Sequence, residues 1–391
     1  MTRVDVLVVG AGPAGSALAA GMARAGASVL MVESARHPRP KACAEYASPR
    51  IVEELGRLGL APSQWAEAAV PLTGMHIHAG GRATMIRYAD RHGPRSAWGT
   101  NRPTFDAILA THAVACGTEL RERASATRLE MAGGRVRGAW IRDRETGREE
   151  FVTADWTVGA DGVRSTVARL VGVERPVRFP RRLGLVAHYA GVDGIADHGE
   201  MHVGADGYIG LAPMPGGELN VGMALPLDGT TGSSRSRFDG AIAAIPAVAR
   251  RLDGARRTSP IRGAAPIGHR VSRVTGPGWL LIGDAAGFVD PFTGEGIHCA
   301  LRSARAAADA ILAGGDVERA YVRERRRAFA AKTALTWLVQ GFLAAPPLLA
   351  HAVSRLEERP RAALLLGSAL ADLRPATDAL APRALLEVLA P

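Results

Sequence analysis

Three glycines and one acidic residue near the start of the chain have the types and spacing of a phosphate- and sugar-binding site. Gly10, Gly12 and Gly15 form the pattern G-A-G-P-A-G, and Glu33 follows further on. In such a turn the first glycine makes the tight bend, the second lets the backbone approach a pyrophosphate, and the third lets a helix pack closely on a strand. An acid at the position of Glu33 accepts hydrogen bonds from ribose hydroxyls, which argues against a ribose 2′-phosphate.

The elements that must position these residues form a β-α-β unit. Residues 4–9 are an apolar run typical of a strand buried on both faces of a parallel sheet, residues 16–25 predict a helix, and residues 28–32 predict a second strand. The N-terminus of the helix would offer free N–H groups and the positive end of its dipole to phosphates. With the acid at the end of the second strand, the unit predicts binding of a dinucleotide.

Two later stretches place glycine and aspartate at the end of a predicted strand. Residues 157–166 read T-V-G-A-D-G-V-R-S-T, and residues 279–296 read W-L-L-I-G-D-A-A-G-F-V-D-P-F-T-G-E-G. An acidic side chain at the carboxyl end of a strand, such as Asp284, is well placed to bind a sugar-like hydroxyl. Gly294 and Gly296 then open a further predicted helix.

The three stretches together resemble the superfamily of FAD-dependent aromatic hydroxylases and geranylgeranyl reductases, over residues 1 to about 310. The resemblance implies that FAD is bound without a covalent link. It implies that Asp161 and Gly162 support both FAD and a pyridine nucleotide, and that Asp284 binds the ribityl chain. Residues 100–109, T-N-R-P-T-F-D-A-I-L, resemble the R-x-x-F-D-x-x-L helix of the family, which makes Arg102 a candidate FAD contact.

The resemblance also places the turn of Pro291, Gly294 and Gly296 beside the isoalloxazine ring. A helix that begins there would aim N–H groups at the region where negative charge accumulates on reduction, and this would raise the flavin potential. The expected FAD-binding residues are therefore Gly10, Gly12, Pro13, Ala14, Gly15, Glu33, Ser34, Arg102, Asp161, Gly162, Gly283, Asp284, Pro291, Gly294, Glu295, Gly296 and Ile297.

The loop at residues 36–49, R-H-P-R-P-K-A-C-A-E-Y-A-S-P, resembles the K-x-C-G-E-x-x-S-P loop of the reductase branch, which crosses the flavin. Lys41, Cys43 and Glu45 match that pattern, and Ala44 replaces its glycine. We take Lys41, Cys43 and Pro291 as the candidate catalytic residues. A lone cysteine is also typical of a small buried apolar position, so both roles stay open for Cys43.

The remaining strands predict a second, antiparallel sheet that binds the substrate. Residues 72–88, interrupted by two glycines, read as a hairpin, and further strands are predicted at 183–189, 200–203, 207–213 and 218–225. Residues 207–222 resemble a G-Y-x-W-x-F-P segment of the reductase branch, but Gly210 and Ala212 replace its Trp and Phe and predict a pocket of different shape. The W-x-W-x-I-P motif of tryptophan halogenases is missing. The expected substrate contacts are Glu45, His76, Tyr208, Gly210 and Ala212.

His76 and His78 have a spacing that could bind a metal ion, but no third ligand is visible in the sequence. We therefore expect an ordinary sheet face and no metal site.

These patterns predict an α/β fold with a Rossmann-type FAD-binding domain interleaved with an antiparallel-sheet substrate domain. We expect the FAD-binding domain at residues 1–70, 96–175 and 265–330, the sheet domain at 71–95 and 176–264, and a C-terminal helical cap at 331–391. The apolar stretch at 335–353 is broken by Gln340 and a proline pair, so it is a poor membrane span. A cap packed on the core is expected, and the alternative is a surface that contacts a membrane peripherally.

Composition narrows the class of protein further. The 391 residues carry a formal net charge of +10, but the arginines are spread along the chain among acidic residues, which argues against a nucleic-acid partner. The three cysteines lack the spacing of a zinc site or a disulfide framework. A predicted strand within the first residues leaves no room for a signal peptide, so we expect a cytoplasmic protein.

The sequence favours an NAD(P)H-dependent monooxygenase that hydroxylates a lipophilic or aromatic small molecule. With one dinucleotide-binding unit, NADH or NADPH is expected to bind transiently, or an electron-donor protein reduces the flavin. The alternative is a geranylgeranyl-reductase-like enzyme that reduces substrate double bonds, and a third hypothesis is a flavin-bearing binding protein without turnover.

Overall fold

The computed structural model describes residues 2–227 and 232–390, and it contains two large sheets. The strands, in chain order, are β1 Thr2–Val9, β2 Val29–Glu33, β3 Tyr46–Ala47, β4 Ala69–Leu72, β5 Gly74–Ala79, β6 Arg82–Asp90, β7 Gly93–Arg95, β8 Ala97–Thr100, β9 Glu119–Glu122, β10 Ala124–Ala132, β11 Arg135–Asp143, β12 Glu149–Gly159, β13 Glu174–Arg175, β14 Arg182–Ala190, β15 Gly199–Gly204, β16 Gly207–Pro213, β17 Leu219–Pro226, β18 Arg256–Arg257, β19 Arg262–Ala264, β20 Arg270–Val271, β21 Thr275–Gly276 and β22 Trp279–Leu281. The helices are α1 Pro13–Arg24, α2 Ile51–Arg57, α3 Arg102–Ala115, α4 Thr166–Leu170, α5 Ser234–Ala243, α6 Pro246–Arg251, α7 Gly296–Ala313, α8 Val317–Leu343, α9 Pro346–Glu358, α10 Pro360–Leu370, α11 Ala376–Leu380 and α12 Pro382–Leu389.

The first sheet has the order β10-β11-β12-β1-β2-β9, and β22 adds to the end of β12 with β21 beside it. The strands β9, β2, β1, β12 and β22 run parallel, so the loops after β1, β12 and β22 open at the same edge. Their apolar residues are buried on both faces, as expected for the centre of a parallel sheet. Ligands of open α/β sheets bind at this carboxyl edge.

Helices α1, α3 and α7 cover one face of the first sheet. Small residues allow α1 and α7 to approach closely, since a side-chain carbon placed on Gly21 would lie 3.9 Å from Cβ of Ala308. The start of α1 is thereby held rigidly at the loop after β1.

The second sheet has the order β18-β14-β17-β16-β15-β5-β6-β7, with β19 beside β14. Its outer face packs on α5 and α6. Around β5 and β6, the inner face is covered by α9 and α10. One neighbouring pair, β5 and β15, is parallel, so the sheet is mixed where an antiparallel sheet was predicted.

The predicted α/β fold with a Rossmann-type unit, a second sheet and C-terminal helices is confirmed. The predicted apolar stretch at 335–353 divides into α8 and α9, because the chain breaks before Pro346. No single helix of residues 2–227 and 232–390 is long and apolar enough to cross a membrane. The pair α8 and α9 meets that test only together, with a bend of 113°.

Candidate FAD and substrate site

The loop after β1 requires glycine at two positions. Gly10 has a φ of +103°, and a side-chain carbon there would lie 2.6 Å from the carbonyl oxygen of Ala160. A side-chain carbon on Gly15 would lie 1.8 Å from the carbonyl oxygen of Gly10. At Gly12 the nearest atom would be a guanidinium nitrogen of Arg39 at 3.4 Å, so the backbone there faces a movable side chain and can accept a ligand.

Glu33 is buried at the end of β2 and is held in a fixed position. Its Oε2 accepts the Ala11 N–H at 3.1 Å, and its Oε1 accepts the Ala35 N–H and the Ser34 hydroxyl, both at 3.1 Å. Burial raises the pKa of Glu33, but Arg39 and these hydrogen bonds outweigh it and the net shift is downward. The carboxylate is therefore ionised and able to accept hydrogen bonds from a ribose.

The loops after β12 and β22 converge on this turn. Gly283 packs so closely on Ala14 that a side-chain carbon would lie 2.9 Å from Cβ of that alanine. Nζ of Lys41 lies 3.5 Å from Oδ2 of Asp284. A side-chain carbon placed on Gly162 would lie 3.7 Å from the same Nζ. Lys41, a candidate catalytic residue, thus lies between two of the predicted FAD-binding loops.

Only one of the two carboxylate oxygens of Asp161 accepts a hydrogen bond within the described residues. Its Oδ2 accepts the Thr166 N–H at 2.6 Å, whereas Oδ1 is buried without a hydrogen-bond partner in the described residues. Burial raises the pKa of this carboxyl. Because a buried acceptor without a partner is costly, this oxygen marks a position where a ligand donor would fit.

The turn before α7 is fixed to the second sheet. Pro291 opens a short 3₁₀ helix that ends at Gly294, which has a φ of +69° and packs against the ring of Tyr46. Oδ1 of Asp290 accepts the Tyr208 hydroxyl at 2.6 Å, and Oδ2 is bonded to Arg182. A side-chain carbon on Gly296 would meet nothing within 4 Å, so the backbone is open at Gly296, whereas the next residue, Ile297, is buried in the core.

Glu295, the N-cap residue of α7, is buried in an ionic network. It is paired with Nζ of Lys332 in α8, which also lies 3.4 Å from Oδ1 of Asp372. Nδ1 of His298 lies 2.9 Å from the other oxygen of that aspartate. Burial raises the pKa of Glu295 to about 8, although Lys332 acts in the opposite direction. The network joins the predicted isoalloxazine turn to the C-terminal helices.

A second cluster surrounds the loop that carries Cys43. Sγ of Cys43 accepts hydrogen bonds from Nη1 of Arg102 at 3.2 Å and from the Glu45 N–H at 3.3 Å. The guanidinium of Arg102 also pairs with both oxygens of Asp106, at 2.8 and 2.9 Å. Arg102 thus bridges the helix α3 and the sulfur of this loop.

Glu45 has a φ of +56° and a buried side chain. Its Oε1 accepts the Arg102 N–H at 3.0 Å, and its Oε2 accepts Nδ2 of Asn220 at 2.7 Å and lies 2.7 Å from Nε2 of His188. The hydrogen bond to Glu45 raises the pKa of His188. A left-handed backbone conformation is strained for a residue other than glycine, and the three partners of Glu45 maintain it. Residues with such strained backbones cluster at functional sites.

Of the predicted substrate residues in the second sheet, those whose side chains project from its inner face lie on the side of this loop. Tyr208, Gly210 and Ala212 alternate along β16 on the inner face, which bears the contacts to Asp290 and Tyr46. His76 is on the opposite face, because it pairs with Glu200, whose neighbour in β16 is the outward residue Leu211. The structure therefore places His76 on the face away from Tyr208, Gly210 and Ala212, and its contact with the substrate stays a prediction.

A cavity of about 540 Å³ opens beside the 283–296 turn. Its walls come from that turn, from α8 and from the loop before β14. Four aromatic side chains line the cavity, and charged side chains, including Arg178, Arg270 and Arg325, line it as well; the aromatics are Phe179, Phe288, Phe329 and Trp337. Phe179 and Trp337 stack with ring centroids 6.5 Å apart and are 53% and 44% exposed, so they form an apolar rim.

Several residues of these clusters were not predicted from the sequence. Arg39 lies next to Glu33, Asp106 orients Arg102, and His188 and Asn220 hold Glu45. Asp106 and Asn220 occur within segments that resemble family motifs, so a signal existed for both. His188 lies in a predicted strand without any motif.

The comparison with known proteins agrees with this geometry. The family model described as FAD binding domain matches residues 3–331. Menaquinone reductase of Mycolicibacterium smegmatis is 32% identical over 329 residues, covering 80% of this chain and 78% of that protein. Digeranylgeranylglycerophospholipid reductase of Methanosarcina mazei is 31% identical over 327 residues, covering 81% and 77%.

Two solved structures share the fold over nearly the whole chain. A geranylgeranyl bacteriochlorophyll reductase-like protein of Thermoplasma acidophilum superposes with a TM-score of 0.82 at 24% identity, covering 100% of both chains. The flavin-dependent brominase Bmp2 superposes with a TM-score of 0.81 at 23% identity, covering 97% of this chain and 99% of its own. The predicted resemblance is confirmed: the chain belongs to the FAD-binding domain family of geranylgeranyl-reductase-like flavoproteins and is an FAD-dependent oxidoreductase.

Proposed function

We propose that the protein reduces a carbon–carbon double bond in the isoprenoid chain of a lipid. The observation that carries this proposal is that two relatives, each at least 31% identical over about four fifths of the chain, are named as reductases of menaquinone and of a digeranylgeranylglycerophospholipid. Both compounds are lipids with isoprenoid chains. Reduction therefore replaces the hydroxylation that the sequence favours as the first hypothesis.

The residues of the site fit FAD as the cofactor. Gly12 leaves the start of α1 approachable, Glu33 is ionised at the end of β2, and Oδ1 of Asp161 lacks a partner in the described residues. Asp284 and the open backbone at Gly296, the first residue of α7, complete the row of polar groups along the sheet edge. When bound and reduced, FAD supplies the hydride equivalent for the reaction.

The cavity supports a lipophilic substrate. Its aromatic lining and the exposed rim of Phe179 and Trp337 offer apolar surface next to the 283–296 turn. Exposed apolar surface of this kind marks a binding groove or a contact with lipid. We infer that the isoprenoid chain enters over this rim, with the C-terminal helices turned toward the membrane that holds the substrate.

Saturation of a double bond requires a proton in addition to the hydride, and we propose that Cys43 donates it. The Sγ–H bond of Cys43 would break and its proton would add to one carbon of the double bond, while the other carbon would take the hydride equivalent that reduced FAD would supply. Arg102 and the Glu45 N–H, which donate to the sulfur, stabilise the thiolate that remains until water reprotonates it. We propose that Lys41, beside Asp284, holds the FAD loops together.

The alternative is an NAD(P)H-dependent monooxygenase. It is supported by Gly210 and Ala212, which stand on the inner face of β16 where the reductase branch carries larger aromatic residues. A wider space there suits a bulky aromatic acceptor. The two reactions differ in their need for oxygen and in the mass of the product.

The decisive experiment uses the FAD-loaded protein, reduced with dithionite under anaerobic conditions and freed of excess reductant. It is mixed with digeranylgeranylglycerophospholipid vesicles or with menaquinone in detergent, and the lipids are analysed by mass spectrometry. The expected result is flavin reoxidation with the gain of one hydrogen molecule per double bond. The proposal would be overturned by two results together. The reduced protein would convert neither lipid, and the protein supplied with NADH or NADPH and oxygen would form a hydroxylated product.

Two cysteine variants test the proton donor. Cys43→Ala is expected to retain FAD and its reduction by dithionite but to form product much more slowly. Cys116→Ala is the matched control, because Cys116 is equally half-buried but lies at the end of α3. Equal rates of product formation in both variants would remove Cys43 from the mechanism while leaving the reductase proposal intact.

A further inference from the structure

Four side chains with metal-binding chemistry lie together on the outer face of the second sheet. β5 and β15 are parallel neighbours, with His76 opposite Glu200 and His78 opposite His202. Because alternate residues of a strand point to the same face, all four project away from the inner residue Met201 and from the FAD loops. The cluster is therefore separate from the candidate active site.

Three of these side chains face one another. The rings of His78 and His202 are stacked, with centroids 4.4 Å apart and an interplanar angle of 2°. Nε2 of His202 lies 2.9 Å from Oε2 of Glu200, and one ligand atom from each of the three residues lies within 4.8 Å of the other two. Ligand atoms of a tetrahedral zinc ion are roughly 3.3 Å apart, given zinc–ligand bonds of about 2.0–2.1 Å. The three ligand atoms would therefore move closer together, and the stacked rings of His78 and His202 would tilt toward each other, when an ion binds.

His78 has a ring nitrogen available for such a bond. Its Nε2 is buried and has no hydrogen-bond partner within residues 2–227 and 232–390. Burial lowers the pKa of His78 to about 4, and the neighbouring His202 and His76 act in the same direction. A cation bound at this nitrogen would remove the cost of leaving it unsatisfied.

Glu200 supplies the negative charge of the cluster. Arg251 from α6 binds only Oε1, through Nη2 and through Nε at 3.2 Å, so Oε2 stays directed at the histidines. Burial raises the pKa of Glu200, but hydrogen bonds from His202 and Arg251 outweigh it and lower the pKa to about 2. The carboxylate is ionised and oriented by a second partner, as metal-ligating carboxylates are.

We propose that His78, Glu200 and His202 bind a divalent transition-metal ion, and that Zn²⁺ is the ion whose preferences fit this set best. Two imidazole nitrogens and one carboxylate oxygen are a ligand set that zinc takes with a fourth position left to water. The site lies at the seam between β5–β7 and the remaining strands of the second sheet, which come from distant segments of the chain. A bound ion would link β5 to β15 and thereby stabilise the folded state.

The expectation of no third ligand, made from His76 and His78 alone, is corrected by the strand pairing. The parallel contact of β5 with β15 brings in a glutamate and a histidine from more than a hundred positions along the chain. Of the other charged and titratable groups nearby, His198 packs edge-on against His76, and Glu357 lies on the side of α9. Neither belongs to the trio of ligand atoms.

The test is a zinc titration of the untagged, FAD-loaded full chain after removal of metals with a chelator. We expect one equivalent of Zn²⁺ per chain in competition with a chromophoric chelator, and a higher thermal midpoint with zinc than without. His78→Ala and His202→Ala should each bind zinc at least about tenfold more weakly, since loss of even an outer partner costs about 10–100-fold. His92→Ala, at an exposed turn, should bind like the wild type.

Replacing zinc by Co²⁺ in the wild-type chain gives a second test, which does not depend on whether a variant folds. Bound tetrahedral cobalt is expected to show visible absorption at wavelengths longer than the flavin bands, and zinc should abolish it. The absence of stoichiometric zinc and of the cobalt bands in the wild type would overturn the proposal. So would His78→Ala and His202→Ala variants that keep the flavin spectrum and bind zinc as tightly as His92→Ala.

Discussion

Replacing Glu45 by Gln removes one charge from the loop that carries Cys43 and changes little else in shape. The carboxylate has three donors around it: the Arg102 N–H at 3.0 Å on one oxygen, and Asn220 and His188, both at 2.7 Å, on the other. A glutamine amide must turn its NH₂ toward one of these sides. In either orientation at least one donor then faces another donor.

The loss of stability in Glu45→Gln can be estimated from the number of hydrogen bonds that the carboxylate accepts and the amide cannot. A hydrogen bond to a charged acceptor contributes about 1.5–3 kcal/mol, so Glu45→Gln should lower the free energy of unfolding by at least that amount. Asn220 cannot compensate by rotating its amide, because its Nδ2 also donates to the carbonyl oxygen of Cys43 at 3.1 Å. The backbone strain at a φ of +56° is the same in both proteins and does not change this difference.

The same variant has a signature in pH. The Glu45 hydrogen bond raises the pKa of His188, so their pairing stabilises the fold fully below about pH 6.5 and is lost as the pH rises through the raised value. In Glu45→Gln this pairing is gone, and burial, the opposing effect, then lowers the pKa of His188. The stability difference between wild type and variant should therefore shrink from mildly acidic to alkaline pH.

The assay is guanidinium unfolding of the FAD-loaded chain at several pH values, with titration of the His188 ring followed by NMR. Glu67→Gln, at an exposed position, is the control for loss of a carboxylate alone and should match the wild type. A Glu45→Gln variant as stable as this control, with an unchanged His188 titration, would refute the account of the loop.

Three further outcomes are expected. Gly15→Ala should abolish FAD retention, because the new carbon would lie 1.8 Å from the carbonyl oxygen of Gly10, whereas Gly21→Ala in the same helix has 3.9 Å of clearance and should retain FAD; both are read from the flavin absorbance after gel filtration. Asp284→Ala should weaken FAD affinity, and an unchanged dissociation constant would remove that residue from the site. Because the pKa of Glu295 is raised to about 8, the folded chain holds a proton that the unfolded chain releases above about pH 4.5, so stability should fall as the pH rises toward 8. Unfolding measured across this range should be flatter for Glu295→Gln, and a parallel profile would argue against the assignment.

The parts of the site that could be predicted are those whose chemistry is local in sequence. The glycine turn after β1 is one example, since Gly10 and Gly15 contact each other within one loop. The turn before α7 is another, because Asp290, Pro291, Gly294, Glu295 and Gly296 lie within seven positions of the sequence. Such patterns identify a fold and a cofactor from a few residues.

The partners of Glu45 could not be predicted, because they depend on the pairing of distant strands. Asn220 lies 175 positions further along the chain, and only the register of β14 with β17 sets it beside His188. The same holds for His76: the alternation of β5 could be read from the sequence, but which face turns inward depends on its neighbour β15. The parallel pairing of these strands had no local signal.

The buried contact between Glu295 and Lys332 sets a practical limit on how this chain can be shortened or recombined. The matched family region ends at residue 331, one position before the lysine that contacts the Glu295 side chain at the start of α7. A fragment cut at that boundary would leave this acid buried without its cation and would also lose Asp372. Chimeras that exchange C-terminal segments between relatives must therefore carry positions 295, 332 and 372 as one inherited unit.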